Sequence, residues 1–409
     1  MDQNDAEQGL ALATIRAWLK DPGARQFLTM GGFAGTGKTY TIATLAAELD
    51  IPVAFCAPTG KAAEQLRRKM GGTVHTIHGL FYLPTDWHIC GCNSCPDGKG
   101  KNTYGELVPP DQCPYPQRNH RGAEITVVTY VLSPAWERSD DIEPPGLVIA
   151  DEASMINEQV WADMLSTGVR ILAVGDHGQL LPVKSSFSLM KAPDLRLETI
   201  RRQEAGDPII AMSFQARTQG FIQGGLWGEN ARRVPWSHAA ATPWLQWQPG
   251  TLIIAARRAT VGFLNEATRT GMLGSARPPT LVPGEPVICL QNDKLLGIFN
   301  GQMFTTREVG EDRDDPRHVI TFTDTEGGWH RAALFQFGDL DALQPRERPR
   351  RCGLFTWAYA LTCHKVQGSE ADRVIVYEED WPRNRNERAR WLYTAVTRAK
   401  RELTVVHRG

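Results

Sequence analysis

Gly32-Phe33-Ala34-Gly35-Thr36-Gly37-Lys38-Thr39 fits the pattern G-x-x-x-x-G-K-[ST] at every position. An apolar run, Phe27–Met30, precedes it and a helical run, Thr41–Leu49, follows, which is the strand-loop-helix context of a phosphate-binding loop. Glycines let successive backbone N–H groups turn inward around phosphate, and the helix N-terminus adds its positive end. In that role Gly35, Thr36 and Gly37 line the loop, Lys38 neutralises the β/γ-phosphates, and the Thr39 hydroxyl ligates Mg²⁺. The complement lies at Leu147-Val148-Ile149-Ala150-Asp151-Glu152. An apolar strand ends in two acids, Asp151 to hold Mg²⁺ through water and Glu152 to orient and deprotonate the attacking water. A strand followed by two acids is common on its own. Paired with a complete phosphate loop the signal is strong, although phosphate cradling alone serves a kinase, a GTPase or a transporter ATPase as well.

Outward from this pair, short apolar runs alternate with helical stretches: Val53–Ala57, Leu147–Ala150, Ile171–Val174, Leu252–Ala255 and Val374–Tyr377. Strands interleaved with helices predict parallel sheets covered on both faces, with ligands where strands end in polar motifs. Residues 84 to about 122 break the rhythm with Gly, Pro, Cys, Asn and Lys, and residues 300–350 read as short strands and turns.

The remaining motifs, in order, resemble superfamily 1 helicases of the RecD/Dda-like branch, and the resemblance runs over nearly the whole chain. Gln8 sits where that family reads adenine. Ala57-Pro58-Thr59-Gly60-Lys61-Ala62-Ala63 resembles its first strand-binding motif, and Thr76-Ile77-His78-Gly79-Leu80 the next. Gly175-Asp176-His177-Gly178-Gln179 resembles the sensor motif, with Gln179 feeling the γ-phosphate. Thr199-Ile200-Arg201-Arg202-Gln203 resembles the fourth motif and offers Arg202 as a phosphate contact. Thr362-Cys363-His364-Lys365-Val366-Gln367-Gly368 resembles the fifth, and Tyr393-Thr394-Ala395-Val396-Thr397-Arg398 the sixth, with Arg398 as arginine finger. An always-charged planar guanidinium suits the charge spread over a transferring phosphoryl group.

The resemblance implies an α/β chain of two RecA-like P-loop domains, with a small inserted wedge or Cys-rich segment and an inserted SH3-like β module. Residues 1–80 and 147–198 form the first motor domain, 81–146 the wedge and Cys-rich insertion, 199–299 and 352–409 the second motor domain, and 300–351 the β module. It implies an ATP- and Mg²⁺-dependent motor that moves 5′→3′ on single-stranded DNA and unwinds duplex at single/double-strand junctions. Lys38, Glu152, Gln179, Arg202 and Arg398 are its catalytic set, and Pro58, Thr59, His78, Thr362 and His364 its strand contacts. The expected organisation is a monomer, in the manner of small phage helicases, with replication or recombination proteins as partners.

Cys90, Cys92, Cys95 and Cys113 crowd into the 81–146 insertion. Four thiolates can close a tetrahedral zinc site, and a small insertion with few apolar residues needs such a staple. Cys113 lacks a C-x-x-C partner and His88 competes with Cys90, so a loop of free thiols stays open beside the zinc reading.

Composition narrows the class without choosing it. With 42% hydrophobic and 22% charged residues and no apolar run near the ~20 residues of a membrane span, a soluble cytosolic protein is expected, with no membrane partner. A net charge of −1 argues neither way on nucleic acid, because a groove needs only a basic lining. Two other readings compete: a strand translocase that displaces proteins without unwinding, and a metal-dependent nucleic-acid adaptor with a decayed motor. The intact catalytic set opposes the second.

Overall fold

The computed structural model describes residues 3–88, 126–138, 143–181, 187–199, 206–239, 247–274, 281–290, 298, 300–313, 319–333, 353–382 and 384–408. None of its helices is long and apolar enough to cross a membrane among those residues.

The first unit is built on a six-stranded parallel sheet. Its strands are β1 (Phe27–Gly32), β2 (Val53–Ala57), β3 (Val74–Thr76), β6 (Leu147–Ala150), β7 (Ile171–Gly175) and β8 (Leu195–Leu197), in the order β3-β2-β6-β7-β1-β8. Between β3 and β6 the chain leaves the sheet through an antiparallel hairpin, β4 (Tyr82–His88) and β5 (Thr126–Leu132). The helices are α1 (Gln3–Lys20), α2 (Lys38–Glu48), α3 (Gly60–Met70), α4 (Ile77–Phe81), α5 (Ala135–Arg138) and α6 (Glu158–Ser166). β6 and β7 read as unbroken apolar runs because both their faces are covered. Leu147, Ile149, Leu172 and Val174 point into a core with Ile15, Ile42, Leu45 and Leu66 from α1, α2 and α3. Val148, Ala150, Ile171 and Ala173 point the other way, against Leu80, Phe81, Trp161 and Met164 from α4 and α6.

The second unit repeats the plan with β9 (Gly225–Trp227), β10 (Ala231–Pro235), β11 (Thr251–Ala255), β17 (Ala360–Thr362), β18 (Ala371–Glu378) and β19 (Ala399–His407), in the order β17-β11-β18-β19-β10-β9. Only the edge strand β9 is antiparallel. Its helices are α7 (Pro208–Gln219), α8 (Trp236–Ala239), α9 (Arg258–Leu273) and α10 (Arg385–Val396). Leu252, Ile254, Val374 and Val376 face α7 and α10. Ile253, Ala255 and Ile375 face α9 and a third element.

That third element is a five-stranded antiparallel sheet of β12 (Pro286–Cys289), β13 (Met303–Glu311), β14 (Val319–Asp324), β15 (Trp329–Ala333) and β16 (Phe355–Trp357), in the order β15-β14-β13-β12-β16. It overlaps the β insertion expected at 300–351. It also runs beyond both of those limits, to Pro286 and Trp357, because its first strand needs β16 as a neighbour. Its apolar face, with Val287, Phe322, Phe355 and Trp357, merges with the core under β11 and β18.

A buried ion pair fixes this junction. Arg269 of α9, 1% exposed, meets Glu285, which also accepts from Tyr359 Oη at 3.0 Å and from the Val282 N–H at 2.7 Å. Removing one member of such a pair strands the other charge without water. Arg269→Ala is therefore expected to destabilise the chain by about 3–5 kcal/mol, read as a shift of the urea midpoint. A change under about 1 kcal/mol, the size of an exposed pair, would remove the pair from this role.

Candidate functional site: a cleft between two parallel-sheet units

The phosphate loop begins where β1 runs out. Gly32 is forced by proximity, since a Cβ there would stand 2.6 Å from Thr36 Oγ1. Gly35 and Gly37 take φ of 80° and 84°, a left-handed backbone that side chains disfavour. α2 then starts at Lys38 with no side chain capping its first turn, so its leading N–H groups face the loop unclaimed by a cap. Lys38 Nζ donates to the carbonyls of Gly32 (2.8 Å) and Phe33 (2.9 Å), both members of the loop itself. Gln8, assigned to adenine by resemblance, is 5% exposed and donates its amide to Thr36 O at 3.2 Å, bracing the loop from α1.

β6 delivers Asp151 and Glu152 to the same edge of the sheet. Glu152 holds φ 53°, the one left-handed residue other than glycine among the described residues. A backbone held there costs of order 1–3 kcal/mol, a strain that clusters at functional positions. Burial raises the Glu152 carboxyl to about 7, and Asp151 and Asp176 push the same way against Arg398 and Lys38. Burial also raises Asp151, opposed by the Glu152 N–H, which donates to Asp151 Oδ1 at 2.9 Å, and by Lys38. Gln179, at the end of β7, is 4% exposed and its amide oxygen has no hydrogen-bond partner; the Ser154 hydroxyl is likewise orphaned. Buried polar atoms left unpaired beside an anion-shaped loop fit a ligand with its own donors and metal. The set therefore suits ATP with Mg²⁺.

The second unit closes the cleft with Arg398, just past α10. Its guanidinium is 5% exposed and donates to Thr394 O (3.0 Å), Ser369 O (3.3 Å) and Thr397 Oγ1 (3.1 Å), close enough to lower the Glu152 carboxyl. Arg202 lies outside the described residues.

Sequence reasoning passed over several residues here. The Tyr393 hydroxyl accepts from the Ala34 N–H of the phosphate loop at 2.9 Å and donates to Asp176 Oδ2 at 2.7 Å. Arg390 Nη1 donates to the carbonyls of His177 (3.2 Å) and Gln179 (2.9 Å). Arg217 of α7 lies over the Phe33 ring, 3.7 Å from its centroid, at the wall of a cavity of about 310 Å³ between the units. Tyr393 was within a quoted motif. Its role depends on which loop faces α10, and no residue pattern reports that.

Thr59 caps α3, its hydroxyl accepting from the Ala62 N–H at 3.1 Å. Pro58 precedes it on the same turn. Thr362 ends β17 and His364 lies in the short 3₁₀ turn after it. The two segments meet at Gly368, where a Cβ would come within 2.9 Å of Ala62 Cβ. His78 stacks on Tyr82 with centroids 5.0 Å apart, and burial lowers its pKa, as it does for His364. Cys90, Cys92, Cys95 and Cys113 lie outside the described residues, and no cluster of three or more metal-ligating side chains occurs among those described.

The sequence matches the AAA domain over residues 12–223, more than half of the chain, and the UvrD-like helicase C-terminal domain over 357–406. It is 28% identical to the ATP-dependent RecD2 DNA helicase of Deinococcus radiodurans, over 92% of this chain and 46% of that protein. It is 24% identical to the RecBCD enzyme subunit RecD of Mycobacterium tuberculosis, over 92% of this chain and 65% of that one. The chain thus spans about half to two-thirds of the length of these relatives. A Bacteroides Pif1 structure bound to single-stranded DNA shares the fold at TM-score 0.54 and 18% identity, covering 98% of this chain and 91% of that one.

Proposed function

We propose that this chain, which belongs to the AAA-domain family and is a superfamily 1 helicase of the RecD/Pif1-like type, couples ATP hydrolysis to movement along single-stranded DNA and to separation of the duplex ahead. One observation carries the reading. The charges of Lys38 from its own unit and of Arg398 from the other both act on the Glu152 carboxyl, so the hydrolytic site is complete only when both units meet. Lys38, Thr39 and the loop N–H groups bind the phosphates, and Thr39 and Asp151 would hold Mg²⁺, which would supply charge neutralisation at the phosphates. Glu152 takes the proton of the attacking water, and Gln179 and Arg398, with Arg202, answer the charge that develops. Cleft closure then changes how the Thr59 and Thr362–His364 segments grip a strand, and hydrolysis releases them. Movement is 5′→3′, as the resemblance implies. The five-stranded sheet acts as the SH3-like module beside the channel, and the β4–β5 hairpin as the root of the wedge.

The test is strand separation with ATP and Mg²⁺ on partial duplexes carrying either a 5′ or a 3′ tail. Unwinding from the 5′ tail alone is expected. Unwinding from the 3′ tail alone would reverse the direction, and DNA-stimulated hydrolysis without unwinding would leave a translocase.

A further inference from the structure

The second position of the phosphate loop is a phenylalanine, and its ring lies in a stack that crosses between the units. On one side Phe33 meets His177 of its own unit, with ring centroids 4.0 Å apart. On the other, the Arg217 guanidinium of α7 stands 3.7 Å from the Phe33 centroid. Phe214, one helical turn back on α7, backs the same guanidinium at 4.7 Å. Tyr393 of α10 turns an edge to Phe33, with centroids 6.0 Å apart and planes at 78°. No ion pair holds Arg217 among the described residues, so the two rings are what fix it there. A planar guanidinium is attracted to the negative face of an aromatic ring, the more so where water is kept out. Phe33 and Arg217 also wall the cavity of about 310 Å³ between the units. Close packing therefore does not clamp the ring from every side, and the stack has to hold it.

The same residue governs the loop through its backbone. The Phe33 carbonyl accepts from Lys38 Nζ and from Thr36 Oγ1, each at 2.9 Å. The next N–H, that of Ala34, donates to Tyr393. Lys38 has to leave the Phe33 carbonyl to neutralise a phosphate. One residue thus has its ring on the second unit and its carbonyl under the lysine.

We propose that Phe33 and Arg217 are positioning residues for ATP hydrolysis: the guanidinium, seated on the ring, keeps the phosphate loop in register with the second unit and sets the point from which Lys38 moves onto phosphate. This rests on the reading of the chain as an ATP-driven motor. Neither side chain needs to touch phosphate; each acts through the loop.

The experiment follows DNA-stimulated ATP hydrolysis by the full chain over an ATP series. It compares wild type with Phe33→Leu, Phe33→Tyr, Arg217→Met and the Phe33→Leu/Arg217→Met double variant. Leucine and methionine keep apolar bulk while removing the ring face and the charge. Phe33→Leu and Arg217→Met are each expected to lower kcat about 3–10-fold, with KM for ATP unchanged. Phe33→Tyr keeps the ring face and stays near wild type. The double variant falls no further than the lower single one, because both changes remove one contact. A loss in Phe33→Tyr as large as in Phe33→Leu overturns the proposal, since size and not the ring face would then matter. Single losses that multiply in the double variant overturn it too, as does an unchanged kcat in either single variant. Thermal midpoints check folding, and Arg217→Met, at the half-buried end of the stack, decides alone if Phe33→Leu does not fold. Wild-type protein without DNA-stimulated hydrolysis refutes the motor reading instead.

Discussion

Replacing Arg398 with alanine is expected to lower DNA-stimulated ATP hydrolysis by about 10³–10⁵-fold, while a fluorescent ATP analogue still binds. The loss is large because the guanidinium sits on the unit opposite the phosphate loop and completes the site only across the cleft. Phosphate binding survives because Lys38 and the loop N–H groups belong to the first unit. Arg398 also donates to Ser369 O and Thr394 O, so the variant needs a fold check by urea denaturation. Arg398→Lys supplies a second control: it keeps the positive charge but not the planar fork, and most of the deficit is expected to remain. A turnover within about tenfold of wild type in a folded alanine variant would exclude Arg398 as the finger.

Glu152→Gln is expected to reduce kcat by about 10²–10⁴-fold with nucleotide affinity preserved, measured by steady-state hydrolysis at saturating DNA. The pH dependence separates this role from a structural one. Burial lifts the folded-state carboxyl from the ordinary 4.5 to about 7, so the ionised base accumulates as pH rises through that value. Wild-type hydrolysis is expected to climb through about 7 and then level, whereas the residual rate of the variant lacks that rise. The sign for stability is opposite. A carboxyl whose folded pKa is raised disfavours the folded state increasingly between pH 4.5 and 7, and fully above it. Glu152→Gln should therefore be the more stable protein at pH 8 although nearly inactive. A wild-type profile that is flat from pH 6 to 8, or a variant less stable than wild type at pH 8, would count against Glu152 as a buried base.

Much of this architecture is written in local patterns. Leu147–Ala150 and Val53–Ala57 are strands at the predicted limits, because a doubly covered parallel strand is an apolar run with nothing else to be. The phosphate loop was legible for the same reason: its glycines and its lysine have one backbone shape that uses them all. The five-stranded sheet was harder to bound. Pro286–Cys289 and Phe355–Trp357 lie far apart in sequence and are tied by pairing that no local signal announces. Gln8, placed at the adenine by resemblance, also donates its amide to Thr36 O, a brace on the phosphate loop that the motif does not announce. The residues given no role from sequence, Tyr393, Arg390 and Arg217, make contacts across the cleft, where the partner is set by how two units dock.

The Tyr393 hydroxyl joins three things in one line of hydrogen bonds: the phosphate loop through Ala34, the sensor segment through Asp176, and the helix that leads to Arg398. Rotation of α10 would move the hydroxyl against both of its partners at once. Thermodynamic reciprocity then constrains the whole cycle. Whatever factor nucleotide applies to the affinity of this chain for a bound strand, the strand must apply to the affinity for nucleotide, because linkage between two ligands of one protein is reciprocal.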